Sequence, residues 1–148
     1  MKKFMMTLGL LFGQTQAADL LPARQIGLEL ARDIAQATVE ACRKQGYQVS
    51  AVVVDRSGDP VVVMRDTLAS RYTLEIAKRK AGAAVLGGVA TSELARNRAD
   101  IKADLNHIPG ILILAGGVPI RAAGMLVGAV GVSGAPGGDK DEACARAG

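Results

Sequence analysis

The residue types that could do chemistry gather on one stretch, Ser70–Leu86. Tyr72, Ile76, Arg79 and Ala83 recur there at i, i+4, i+7 and i+11, one face of an α-helix. A wholly solvated face does not usually combine Tyr, Ile and Ala, so this stripe is expected to meet a ligand or another subunit. The phenol of Tyr72 is a potential metal ligand or an interface tyrosine. The planar fork of Arg79 suits a carboxylate, or a pair with Glu75 four residues earlier. His107 is the only histidine of the chain. It is either an axial ligand or a loop imidazole bonding backbone before Pro109.

One histidine excludes a His-rich metal cluster. A Ser-His-Asp site would need His107, and HExxH, CxxC and GxSxG are all absent. Gly131, Gly134 and Gly137 are spaced by three, which is neither a dinucleotide fingerprint nor a phosphate loop. Without a convincing acid–base set, the residues favour a binding protein over an enzyme.

The elements that must position these groups follow from periodicity. Arg24–Gln45 reads as a helix with Ile26, Leu30, Ile34, Ala37 and Ala41 on one face, closed by Gly46. Val49–Asp55 and Pro60–Arg65 read as strands around the turn Arg56-Ser57-Gly58-Asp59, with Asp55 capping backbone N–H groups. Their near-continuous apolar character suits a sheet covered on both faces. In the next helix, Ser70–Leu86, Leu74, Ala77, Ala81 and Val85 should face that sheet. Thr91–Asn106 is a weaker, charged helix. Ile111–Ala115, Val118–Ala122 and Met125–Val132 then read as three strands of a meander broken at Gly116-Gly117 and Ala123-Gly124. Pro119 belongs at an edge or a strand start. Asp139 with Glu142 reads as a capping box for a last helix.

Three segments carry a family resemblance. "GGVPIRAAGMLVGAVGVSGAPGGDKDEACARAG", "VVVDRSGDPVVVMRD" and "YTLEIAKRKAGAA" resemble the GlcG/HbpS family of haem-binding domains, which includes the C-terminal domain of PduO-type proteins. The resemblance spans the chain after residue 23. It implies an α+β, profilin-like single domain with a central antiparallel sheet of about five strands flanked by helices. For some members it implies haem binding in oligomers. On that reading Tyr72 or His107 is the iron ligand, Ile76 and Ala83 contact the macrocycle, and Arg79 pairs with a propionate. The family pattern often has His where Tyr72 stands, and tyrosinate is also a haem ligand. The alternative is an accessory protein or enzyme acting on a small organic substrate, associated with an alcohol- or glycolate-type oxidation pathway. A purely structural oligomerisation domain is a third reading.

Met1–Ala17 reads as a secretory signal: Lys2-Lys3, the apolar Phe4–Gly13, and Thr15-Gln16-Ala17 before Ala18. The apolar run is too short to span a bilayer, and no Cys follows it for a lipid anchor. The expected mature domain is 18–148, periplasmic or secreted, without a stable membrane anchor. Removing two of 18 basic residues leaves 16 against 14 acidic ones, so the charge does not point to nucleic acid. Aromatics are only 3% of the chain and Trp is absent, which removes the usual stacking platform. The expected partners are haem or another small molecule and further copies of the chain. In an exported chain Cys42 and Cys144 are either a disulfide or two small buried hydrophobes. In the fold implied by the resemblance the terminal helices share one face of the sheet, which would let the pair meet.

Overall fold

The computed structural model describes residues 21–148, so the expected signal segment lies outside the described residues. Among the described residues five helices and four strands follow in the order α1 (Leu28–Arg43), β1 (Ser50–Asp55), β2 (Pro60–Arg65), α2 (Tyr72–Gly87), α3 (Thr91–Asn97), α4 (Lys102–Leu105), β3 (Gly117–Ala122), β4 (Met125–Ser133) and α5 (Gly138–Ala147). The strands form one antiparallel sheet in the order β2-β1-β4-β3.

The alternation of side chains along β1 divides the core. Ala51 and Val53 point to one face, where Ala31, Ala35, Val39 and Cys42 of α1 and Cys144 of α5 pack with Val130 and Val132. Val52 and Val54 point to the other, where Ala77, Ala81 and Ala84 of α2 pack with Ala129. The alanines let α2 settle very close to the sheet. Gly131 is required by that approach, because a Cβ there would strike the α2 backbone at Ala77 and Ala81.

The α+β class and the single domain are as expected, but the sheet has four strands, not about five. Ile111–Ala115 is not a strand. Ile113 is buried, and it lies with Ile111 against Ala83 and Leu94 on the side of α2 away from the sheet. An apolar run buried against a helix carries the same composition as a strand, and periodicity does not separate them. β3 and β4 form the hairpin that the Ala123-Gly124 turn implied. Both residues have positive φ, 50° and 78°, joining Ala122 to its partner Met125 as a primed two-residue turn does. Pro119 lies on β3, an edge strand.

Other expectations shift. The buried stripe of α1 is Ala31, Ala35, Thr38, Val39 and Cys42, whereas Leu30 is about half exposed: small residues, not the bulky ones, take the close contact. β1 is covered on both faces, but β2 is an edge strand and partly exposed. The stretch 91–106 is two short helices broken at Arg98–Ile101. Asp55 does cap its turn, accepting from the N–H groups of Ser57 and Asp59. The capping box does not form: α5 starts after Gly137 with no side-chain cap. Glu142 instead accepts from the Ser92 hydroxyl and backbone N–H.

The cysteines meet as a disulfide with a Cα–Cα distance of 5.4 Å. It fastens α1 to α5 on one face. At the same end of α1, Arg43 donates from Nε and Nη2 to both Asp66 oxygens at 2.7 Å. That hydrogen bonding holds the Asp66 carboxyl below its ordinary value. Its contribution to stability is therefore complete above the unfolded pKa of about 3.9 and is lost as pH falls through the lower folded value. In urea titrations Asp66→Asn should be less stable at neutral pH and should lose less stability than the wild type on acidification below about pH 4. An unchanged acid slope would remove this pair from the account.

Candidate functional site

The face of α2 turned away from the sheet divides into two halves. At its N-terminal end Tyr72 is 67% exposed, with the Arg71 guanidinium 5.0 Å from its ring centroid. Ile76 is half-buried one turn on. The C-terminal half is covered by the chain itself. Segment 106–113 crosses it, fixed at Arg79: Nη2 donates to Asn106 O at 3.2 Å and to Ile111 O at 2.8 Å, while Leu112 N donates to Arg79 O at 3.0 Å. Asn106 Oδ1 in turn accepts from Ile113 N at 2.7 Å. Gly82 permits the crossing, because a Cβ there would collide with Gly110 O.

This changes the assignments read from the stripe. Ala83 is fully buried under Ile111, Ile113 and Leu94, so it offers no surface to a ligand. The expected outward-facing stripe ends where the chain folds over it. Arg79 makes neither the expected contact with Glu75 nor an open cationic fork; it organises the crossing loop. Tyr72 and Ile76 remain accessible. His107 is exposed, in the turn after α4, where its N–H donates to Asp104 O. Its loop lies over α2.

The crossing leaves a cleft of about 500 Å³ beside α2. Its walls are the β1–β2 turn at Ser57–Asp59, Val85 and Leu86 of α2, and Pro109–Ile111, with Lys78 as the cation among its lining residues. Apolar walls with a few polar groups are the usual form of a small-molecule site. Lys78 was missed in the sequence because its neighbours Arg79 and Lys80 make it one of three consecutive cations. The three part company once the helix is packed: Lys78 lines the cleft, Arg79 holds the loop, and Lys80 is buried.

Lys80 is 1% exposed. Its Nζ donates to Asp141 Oδ2 at 2.7 Å and to Val132 O at 3.0 Å, while Asp141 Oδ1 accepts from Ala135 N at 2.9 Å. Burial pushes the Asp141 carboxyl up, and the Lys80 ammonium offsets this only in part. Burial also acts upward on Glu142, but its bonds to Ser92 and Arg146 outweigh it and the net shift is down. The Lys80–Asp141 pair joins α2 to α5 from opposite faces of the sheet, so it positions the candidate helix without lining the cleft.

Among the described residues there is no group of three or more His, Cys, Asp or Glu side chains suited to a metal ion. No helix among them is long and apolar enough to cross a membrane. The cleft combines an apolar wall of Val85, Leu86, Pro109 and Ile111 with one cation, Lys78, and one carboxylate, Asp59; the Tyr72 phenol and the His107 imidazole are exposed on the same side of the sheet but are not among its lining residues.

A family model described as haem degrading protein HbpS-like matches residues 26–148. A crystal structure of HbpS is 46% identical, covering 87% of this chain and 91% of that one, with a TM-score of 0.82. A double glutamate-to-aspartate variant of HbpS from Streptomyces reticuli is 41% identical over 98% of this chain and 95% of that one, also at 0.82. A PduOC–haem complex is 25% identical over 84% and 92%, with a TM-score of 0.73. No curated protein matches the chain.

Proposed function

We propose, from the premise that this chain belongs to the HbpS-like family, that it is an exported haem-binding protein whose task is to store, carry or sense haem. The observation that carries the reading is the cleft beside α2, with Val85, Leu86, Pro109 and Ile111 as its apolar wall and Lys78 and Asp59 as its charged lining, in a fold shared with a protein crystallised with haem. Val85, Leu86, Pro109 and Ile111 would contact the macrocycle, with Ile76 at its margin, and Lys78 takes the propionate role first read into Arg79. Tyr72 and His107 are the candidate iron ligands. Bound there, haem would supply redox-active iron; the chain's own part would be to hold it, exclude water and supply a ligand to the iron.

Replacing both candidate ligands tests the site. Tyr72→Phe or His107→Ala, whichever removes the ligand, should shift the Soret band and lower haemin affinity by tenfold or more, with the circular dichroism spectrum unchanged. Both side chains are exposed, so neither change should disturb the core. If neither variant alters spectrum or affinity, this ligand assignment is wrong.

The family's description as haem-degrading favours a second reading, in which bound haem is consumed. Adding peroxide to the haemin complex separates the two: a store protects the Soret absorbance relative to free haemin, and a degrading protein accelerates its loss.

Export is supported by the N-terminal signal pattern and by the buried Cys42–Cys144 disulfide, a bond favoured in oxidising compartments. Intact mass of the exported protein should correspond to a chain beginning at Ala18. Recovery only of a cytoplasmic chain beginning at Met1 would sink that part of the proposal. Assembly into homo-oligomers is part of the same proposal, and light scattering of the purified protein would measure it.

A further inference from the structure

Around the C-terminal end of α2 lies a second cavity, of about 360 Å³, that the haem reading does not use. Leu86, Val89, Leu94 and Leu105 give it apolar walls, and Asn97 and Arg98 add a polar side. Leu94 is buried, while Leu86 is 53% exposed although it is a leucine in the last turn of a helix. Arg98 has little to occupy it. Its nearest acid, Asp100, is 3.7 Å away with both side chains largely exposed, a separation too long for a hydrogen bond and a pair of small energetic weight. An apolar slot with an underused guanidinium and a neighbouring carboxamide recognises one chemistry: a carboxylate on an apolar body.

The geometry points to this cavity as a binding site for an apolar monocarboxylate, with Arg98 and Asn97 taking the carboxylate and the leucines taking the hydrocarbon. Leu86 also lines the cleft beside α2, so the two spaces adjoin across one side chain. The carboxylate therefore has two possible sources: a free small acid, or a propionate of a porphyrin seated in the neighbouring cleft. The cavity goes beyond the haem reading, because its chemistry is complete without haem.

Hexanoate is the probe, followed by amide chemical shifts of the full domain without haem. The expected result is saturable shifts at Leu86, Gly87, Leu94 and Asn97. Arg98→Gln, an exposed change, should weaken hexanoate about tenfold or more and leave hexan-1-ol binding within about twofold, since the alcohol does not need the cation. Absence of shifts at these amides, or equal hexanoate affinity in Arg98→Gln, overturns the site. The source is then read with haemin. If haemin displaces hexanoate and Arg98→Gln weakens haemin as well, the carboxylate is a propionate. If hexanoate binds the haemin-loaded protein unchanged, it is a free acid. Failure to bind haemin leaves the hexanoate result standing, so the two proposals fail separately.

Discussion

Lys80→Ala is expected to destabilise the protein by about 3–5 kcal/mol, the usual cost of removing one partner from a buried ion pair. The loss has two parts. Asp141, itself only 3% exposed, would be left without the ammonium 2.7 Å away, and Val132 O would lose its side-chain donor. Burial already pushes the Asp141 carboxyl upward, and loss of the ammonium would push it further the same way. The double variant Lys80→Met/Asp141→Leu should recover much of the loss, because exchanging both partners for apolar groups of similar volume removes the desolvation cost as well. Urea unfolding of the two variants checks this. If the double variant is as unstable as the single one, the pair is a specific tether between α2 and α5 and not merely a compensated buried charge.

Removal of the Cys42–Cys144 bridge is the second large effect. The bond joins residues 102 apart in sequence, and a closure of that length is worth up to about 4–5 kcal/mol in the chain-entropy description, with 2–5 kcal/mol the usual measured cost of losing a native bridge. Both cysteines are fully buried in the core between α1, the sheet and α5. Cys42→Ala/Cys144→Ala should therefore fold with the same secondary structure and unfold at a lower midpoint. The wild type under strong reductant should move toward it. A midpoint unchanged in both experiments would show that the helix contacts alone hold the terminal helices together.

Much of the fold was legible because its signals are local. The β1–β2 turn is written in Asp55-Arg56-Ser57-Gly58-Asp59, and the β3–β4 turn in Ala123-Gly124. Pro119 limited β3 to an edge or a strand start, and β3 is an edge strand. What could not be read depends on contacts distant in sequence. Ile111–Ala115 has a strand's composition and became an irregular segment, since its burial comes from the back of α2. The α1 stripe was misplaced by about one position because alanines approach the sheet more closely than leucines, and periodicity weighs size over fit. The disulfide could be raised from two cysteines, but the pairing needed the terminal helices on one face.

The candidate site was less legible for the same reason. The stripe Tyr72, Ile76, Arg79, Ala83 does share a helix face, and spacing alone could not say that the chain would fold over its second half. Burial withdraws Ala83, and two carbonyls engage Arg79. Tyr72, Ile76 and His107 remain accessible. Lys78, Arg79 and Lys80 are three adjacent cations with three different surroundings, and no property of the tripeptide predicts which faces the cleft. The buried role of Asp141 was hidden in the same way, because its partner Lys80 lies 61 residues away in sequence.

Haemin titration of the purified protein at micromolar concentration tests the central claim most directly. The account predicts a saturable Soret band distinct from that of free haemin, weakened by Lys78→Glu, which reverses the charge lining the cleft. A spectrum that stays that of free haemin throughout the titration would contradict it.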